Sequence, residues 1–362
     1  MNKFINRILK FYIKSVLRIY FRKWQIEGLE NLPQDKPIIF AVNHQNAFLD
    51  ALVITCSSKI LPYYLARAEV FSNSFGAKLL SFIRIMPIYR FRDGLANVKK
   101  NDAIIEVCQD ILSRKETLVM FPEGNHAEEW TLRSLQRGLS RIAFKTESLA
   151  NFLLDVQIVP VGIQYEGPKS FRSRLLVQFG KPISMKSYEN AYKENERDSL
   201  DLLKKDIYKA MKPLVLHIPE KNYEEIEPVF LKKRIYKKDL VEQLKCDQEL
   251  VDSLIKGKEI KQESDPKEKF IGSLLFSLPV WLINVIPYKI TNWFIDKFIK
   301  DKVFVSSIKF ASGITLVPIY YLLISCTVFC FTGNYWIAFL TLISLPIISI
   351  LGFDGIKKLQ GK

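Results

Sequence analysis

The sequence predicts an α/β fold: a mixed, largely parallel sheet flanked by helices, with an N-terminal amphipathic helix and a C-terminal transmembrane helical hairpin. Three observations predict it. Short apolar runs alternate with helical periodicity from Pro37 to about Gly180, a basic stripe of helical period fills the first 24 residues, and two uncharged stretches of membrane-spanning length stand near the C-terminus. At 362 residues and 48% hydrophobic content, the chain can form one large domain with residues left over for an appendage.

In residues 1–24, Lys3, Arg7, Lys10, Lys14, Arg18 and Arg22 recur every three or four positions, Lys23 follows, and no acidic residue intervenes. Between them stand Phe4, Ile5, Ile8, Leu9, Phe11, Tyr12, Val16, Ile19 and Tyr20. A helix here carries a basic stripe beside a broad apolar face, the pattern of a helix lying in a bilayer interface. By periodicity alone, a solvated face over a core fits equally well. The aromatic load and the C-terminal segments favour the membrane. Cations interrupt every apolar run, so no cleaved secretory signal is expected.

For the core, strands are expected at 37–42, 62–66, 84–89, 117–121, 157–163 and 174–179, and crossover helices at 47–58, 69–81, 95–114 and 136–150. One domain is expected over residues 25–215, and a charged linker region of surface helices over 216–270, where runs such as KKRIYKK and KGKEIKQESDPKEK occur. A membrane-embedded region is expected over 271–362. In it, 311–331 and 335–353 are uncharged and joined by Thr332, Gly333 and Asn334. Lys297, Lys300, Lys302 and Lys309 before the hairpin and Lys357, Lys358 and Lys362 after it predict that both ends are cytoplasmic. Residues 271–287, interrupted by Pro279 and Pro287, suggest a re-entrant or interfacial element. The five cysteines lack metal-ligand spacing and are expected to be reduced, packed thiols.

The chemistry-bearing types cluster at strand ends, where sites form. The segment IIFAVNHQNAFLD runs from an apolar strand into a polar turn with Asn43, His44 and Gln45, then into a helical pattern. His44 and Asp50 are six apart and cannot pair on one continuous helix. With His44 in the turn and Asp50 reaching back, the carboxylate can hold one ring nitrogen protonated while the other accepts a proton from an alcohol. A satisfied histidine near a helix start is the ordinary alternative. TLVMFPEG ends a second strand in Glu123 and Gly124, able to orient an acceptor and admit a ligand to the backbone. RIMPIYRFR places Arg84, Arg90 and Arg92 near a third strand end, where an arginine fork suits a phosphate. QIVPVG is expected to be sheet core and at most a wall of the site.

In this order, NHQNAFLD, MPIYR, FPEG and IVPVGI resemble the four sequence blocks of the glycerol-phosphate and lysophosphatidic acid acyltransferase superfamily, across roughly residues 20–215. LQRGLSRIAF, with Arg137 and Gly138, resembles the helix after its glutamate motif. Two departures stand out. Five residues separate His44 from Asp50 where the family usually has four, and Asn125 and His126 replace the Thr-Arg that commonly follows Phe-Pro-Glu-Gly. Arg90 matches the second-block arginine, and Arg92, Arg133 or Arg137 can stand in for the missing one.

The resemblance implies transfer of a fatty acyl group from acyl-CoA or acyl-carrier protein to a hydroxyl of glycerol 3-phosphate, a lysophospholipid or a related lipid precursor. His44 and Asp50 would then be catalytic, with Asn43, Gln45, Arg90, Glu123, Gly124 and Arg137 binding substrate. No metal or bound cofactor is implied. Backbone N–H groups near Asn43 or Gly124 are candidates for stabilising an oxyanion, a role the sequence leaves unassigned. The partners expected are the lipid bilayer, the thioester donor, with acyl-carrier protein as one candidate, and the lipid acceptor, for an integral membrane protein with its catalytic domain on the cytoplasmic face. The net charge of +15 favours anionic partners. A non-catalytic lipid-binding scaffold of the same fold is the alternative. Nucleic-acid binding, suggested by charge alone, finds no reading motif.

Overall fold

The computed structural model describes residues 3–67, 71, 74–88, 101–257, 271–299 and 304–359. Eight strands, β1 (Lys23–Glu27), β2 (Ile38–Val42), β3 (Tyr63–Arg67), β4 (Ile85–Ile88), β5 (Thr117–Met120), β6 (Gln157–Tyr165), β7 (Arg174–Phe179) and β8 (Ile183–Ser184), form one sheet. Their order is β1-β7-β6-β2-β5-β3-β4, with β8 pairing antiparallel to the start of β6. From β6 through β4 every neighbour is parallel, β7 runs antiparallel to β6, and β1 lies parallel to β7 at the edge. The mixed, largely parallel sheet flanked by helices is as predicted.

The residues of β2 explain why the sheet is covered on both faces. All five are buried, and because strand side chains alternate, Ile39 and Ala41 enter one layer while Ile38, Phe40 and Val42 enter the other. The first layer packs under α4 (Asn101–Ser113), α5 (Gly138–Leu149) and α7 (Glu196–Met211), which follows the short α6 (Glu189–Glu194). The second packs under α1 (Lys3–Tyr20) and α2 (Ala47–Ser57), whereas α3 (Ser74–Phe82) packs beside β4.

Three expectations change. Helix α1 ends at Tyr20 rather than near residue 24, and Lys23–Glu27 form a strand absent from the sequence reading. Its sheet partner among the described residues, β7, lies some 150 residues downstream, so no local pattern announces it. Residues 216–257 are a packed unit rather than linker. Leu216, Ile218, Ile226 and Phe230 join Leu240, Leu244 and Val251 around Trp130 and Leu176, on α8 (Tyr223–Lys233) and α9 (Leu240–Ile255). Dense charge masked these helical stripes, and one pair of charges, Arg234 with Asp247 (Nε–Oδ1 3.0 Å), is itself buried. Residues 258–270 of the expected linker lie outside the described residues. Lastly, 271–298 is one continuous helix, α10 (Ile271–Phe298), rather than a re-entrant element, with Pro279 and Pro287 inside it.

The C-terminal region continues with α11 (Val305–Ile314), α12 (Leu316–Thr332) and α13 (Tyr335–Leu359). Among the described residues, 305–332 and 335–355 are long and apolar enough to cross a membrane, and most of their side chains face outward. Gly333, at φ 62°, closes α12, and the Asn334 side chain accepts from Trp336 N at 2.9 Å to start α13, so the three-residue joint forms the expected hairpin. Asn284 contacts Ser349 and Tyr321 while Thr291 contacts Ser312, so α10 runs antiparallel to α11 and α12 and alongside α13. All five cysteines are free. Burial pushes the Cys56 and Cys108 thiols up to about 11 and about 12, whereas Cys326 and Cys330 are exposed on α12 rather than packed, and Cys246 is half-buried.

The hairpin base is fastened to the α/β domain. Arg172, in the β6–β7 loop, forks onto Asp354 of α13 (Nε–Oδ1 2.7 Å), Phe171 meets Phe353 edge-on, and Tyr20 of α1 meets Phe310 of α11. The Ser306 hydroxyl donates to the Pro168 carbonyl at 3.0 Å.

Candidate functional site

The site lies at the C-terminal ends of the parallel strands β2 and β5, where an open α/β sheet places its ligands. After β2 the chain turns through Asn43–Asn46, and Ala47, the first residue of α2, takes a positive φ of 42°. That strained residue absorbs the fifth spacer between His44 and Asp50. The Asp50 carboxylate thus reaches back from the first turn of α2 to His44 Nδ1 at 2.8 Å.

Asp50 is fully buried, and both of its oxygens are held by hydrogen bonds. Oδ2 also accepts from Asn46 N (2.8 Å), and Oδ1 accepts the Tyr165 hydroxyl (2.7 Å). Tyr165 is itself buried, and its ionisation is pushed far up, first by burial and then by the neighbouring carboxylate, so it remains a donor. The result is a hydrogen-bonded chain Tyr165–Asp50–His44 that fixes the imidazole through Nδ1 and leaves Nε2 for chemistry. The His44 ring stacks on Phe121 (4.0 Å between centroids) and remains partly exposed.

Across from it stands Glu123, at the end of β5. Its Oε1 accepts the His44 backbone N–H (3.2 Å) and its Oε2 accepts Arg133 Nε (2.7 Å). Burial raises the Glu123 carboxyl, and Arg133 and the His44 N–H pull it back down. Arg133 also donates to the Asn125 carbonyl, closing the loop on itself. Gly124 turns with φ 73°, where a Cβ would press on the Gln136 side chain at 3.0 Å. His126 meets His44 edge-on at 5.5 Å and Phe304, just before α11, at 5.3 Å. The C-terminal region therefore reaches the surroundings of His44 through His126.

Several residues expected to bind substrate are committed elsewhere. The Asn43 amide donates to and accepts from the Ile163 backbone (3.0 and 2.7 Å), tying β2 to β6. Gln45 is buried and donates to Glu129 O at 3.0 Å. The Arg137 fork is spent on Asp201 of α7 (Nε–Oδ1 2.8 Å), at the surface. Of the backbone groups considered for an oxyanion, the Gly124 N–H is bonded to Phe121 O and the His44 N–H to Glu123. Arg90 and Arg92 lie outside the described residues.

The sequence reading omitted Tyr165 and Phe304 and put Arg137 in its binding set where Arg133 holds the position beside Glu123. The signal for Tyr165 was available: the alternation Val159, Val161, Ile163 continues by two onto Tyr165, on the face that packs with α2. Phe304 is 260 residues from His44, and no sequence pattern joins them.

Comparison with known proteins agrees with the four blocks. Residues 23–164 match the family model described as Acyltransferase. A chloroplastic 1-acyl-sn-glycerol-3-phosphate acyltransferase of Arabidopsis thaliana is 27% identical over 167 residues, 46% of this chain and 42% of that one. A 1-acyl-sn-glycerol-3-phosphate acyltransferase of Bacillus subtilis is 30% identical over 149 residues, 40% and 64% of the two chains. Glycerol-3-phosphate O-acyltransferase 2 of Saccharomyces cerevisiae is 22% identical over 225 residues, 58% and 28%. The chain spans under half the length of the Arabidopsis relative it matches. Residues 23–164 are thus similar to acyltransferase domains.

Proposed function

We propose that the protein is a membrane-bound O-acyltransferase that moves a fatty acyl chain from acyl-CoA or acyl-carrier protein to a hydroxyl of glycerol 3-phosphate, a lysophospholipid or a related precursor, in phospholipid synthesis. The observation that carries this reading is the His44 Nδ1–Asp50 bond of 2.8 Å beside Glu123 at the strand ends, with the imidazole partly exposed. His44 Nε2 takes the acceptor's hydroxyl proton as its oxygen attacks the thioester carbonyl carbon. The C–S bond breaks, and the departing thiolate recovers the proton from the imidazolium. General-base assistance of this kind is worth about 10²- to 10⁴-fold. Asp50 orients the ring and stabilises its charged form, Tyr165 and Asn46 hold Asp50, and Arg133 with Glu123 places the acceptor, a role we also assign to Arg90.

The two apolar helices, the outward apolar side chains of α1 (Phe4, Ile8, Phe11 among them) and the lysines flanking the hairpin support an integral membrane protein with its catalytic domain on the cytoplasmic face. Acceptor and product then move laterally to and from the pocket.

The test is the purified full chain with acyl-CoA or acyl-carrier protein and a panel of acceptors. Transfer by the wild type and its collapse in His44→Ala are expected. No transfer to any acceptor overturns the reading. His126 in place of the family's arginine favours a second reading, a lipid-binding scaffold, in which lipid is bound, no thioester is consumed and His44→Ala changes nothing.

A further inference from the structure

We infer that a phosphate-bearing headgroup of an anionic lipid binds in a cavity at the C-terminal end of α1, apart from the His44 pocket. This site does not depend on the acyl transfer proposed above. The cavity measures about 240 Å³ and is lined by Lys14, Arg18, Phe21, Arg22, Trp24 and Ile26. A water occupies about 30 Å³ in the liquid, so a phosphate group with part of its ester fits.

Three features point to an anion. Lys14 and Arg18 stand one turn apart on α1, and Arg22 follows just past its end, so three cations converge on one cavity. Like charges at this spacing repel, and a bound anion relieves that repulsion. The Trp24 indole N–H, on the floor of the same cavity, is buried and has no acceptor. A buried donor without a partner is costly, and a phosphate oxygen is the acceptor that fits among these cations.

The ordinary reason for cations at a helix C-terminus is to satisfy its last carbonyls. Here three of the last four carbonyls already have partners: Leu17 O accepts from Phe21 N, Ile19 O from Arg172 Nη1, and Tyr20 O from Arg172 N. The cations are therefore not needed as caps.

The source of the phosphate follows from what adjoins the site. Phe4 and Phe11 share the side of α1 that carries Arg18, both strongly exposed, and Ile8 and Ile19 continue that apolar face. Tyr12 and Tyr20, on another side of α1, contact Ile314 and Phe310 of α11, so the apolar face lies between the cation cavity and the membrane helices. A lipid can place its headgroup among Lys14, Arg18 and Arg22 while its chains cover Phe4 and Phe11. A free phosphate has no use for the apolar border.

The experiment is native mass spectrometry of the full chain in detergent, titrated with phosphatidylglycerol or with phosphatidylcholine, for the wild type, the triple variant K14Q/R18Q/R22Q, and Trp24→Phe. The wild type is expected to retain phosphatidylglycerol in preference. The triple variant should bind it about 100-fold more weakly, at roughly fivefold per cation. Trp24→Phe, which removes only the N–H donor and keeps the ring, should weaken it about fivefold and carries the test if the triple variant does not fold. Equal retention of the two lipids by the wild type, or undiminished preference in Trp24→Phe and in any folded triple variant, overturns the proposal. So does displacement of the bound lipid by millimolar inorganic phosphate, which would mark a free-phosphate site.

Discussion

The turn 43–50 and the loop 123–137 face each other across His44, yet they are held by opposite means. The turn is anchored from within the sheet layer. Asp50 and Tyr165 are fully buried, Asn43 is clamped to Ile163, and the hydrogen bonds converge on one imidazole nitrogen. The loop is anchored from outside the family domain. Trp130 O accepts from Ile218 N, Thr131 donates to Ile218 O, Leu132 N donates to His217 Nδ1, and Phe304 backs His126. In the mechanism we propose, the difference puts the proton-transfer half of the site in the sheet and leaves the acceptor half to be shaped by chain that the family model does not cover. Catalysis should therefore be sensitive to changes in the turn, and acceptor choice to changes around the loop.

Four substitutions break or sharpen this contrast. The largest effect is expected from His44→Ala, a loss of about 10²- to 10⁴-fold in transfer rate, with lipid binding retained, measured as product formation against bound acceptor. Tyr165→Phe leaves a buried Asp50 oxygen without its donor. It should cost about 1–3 kcal/mol of stability in denaturant titration and lower kcat by about tenfold with acceptor KM unchanged. A fall in stability with unaltered kcat and pH profile would reduce Tyr165 to a packing role.

Arg133→Met acts on the other side. Burial raises the Glu123 carboxyl and Arg133 lowers it, so without the arginine its value climbs further. The carboxylate is needed ionised to hold the loop, so the acid limb of kcat/KM should move to higher pH, with acceptor KM rising several-fold at neutral pH. An unmoved acid limb would remove Glu123 ionisation from the mechanism. Smallest is Arg137→Ala, where an exposed ion pair with Asp201 is lost. Stability should change by less than about 1 kcal/mol and acceptor KM by less than about twofold. A large rise in KM would restore Arg137 to the acceptor site.

Much of the sheet could be read in advance because its strands carry unbroken apolar runs: IIFAV, TLVM and QIVPVGIQY announce themselves wherever they pair. β1 could not, since KWQIE is a charged-ended edge strand whose identity depends on β7. The packed unit at 216–257 was obscured for a related reason. Its helices expose more charge than apolar surface, and the buried Arg234–Asp247 pair looks like solvated charge until the two helices meet.

The residues of the site divide along the same line. Residue types and local spacing determined that His44 belongs in a turn with Asp50 behind it, because hydrogen-bond geometry across six residues allows little else. They also determined the two membrane-spanning lengths, because hydrophobic thickness is a matter of counting residues. Only tertiary structure decided that Tyr165 completes the chain behind Asp50, that Arg133 rather than Arg137 meets Glu123, and that Phe304 meets His126. These are contacts between segments brought together by packing, whose energy depends on distances that a linear sequence does not contain.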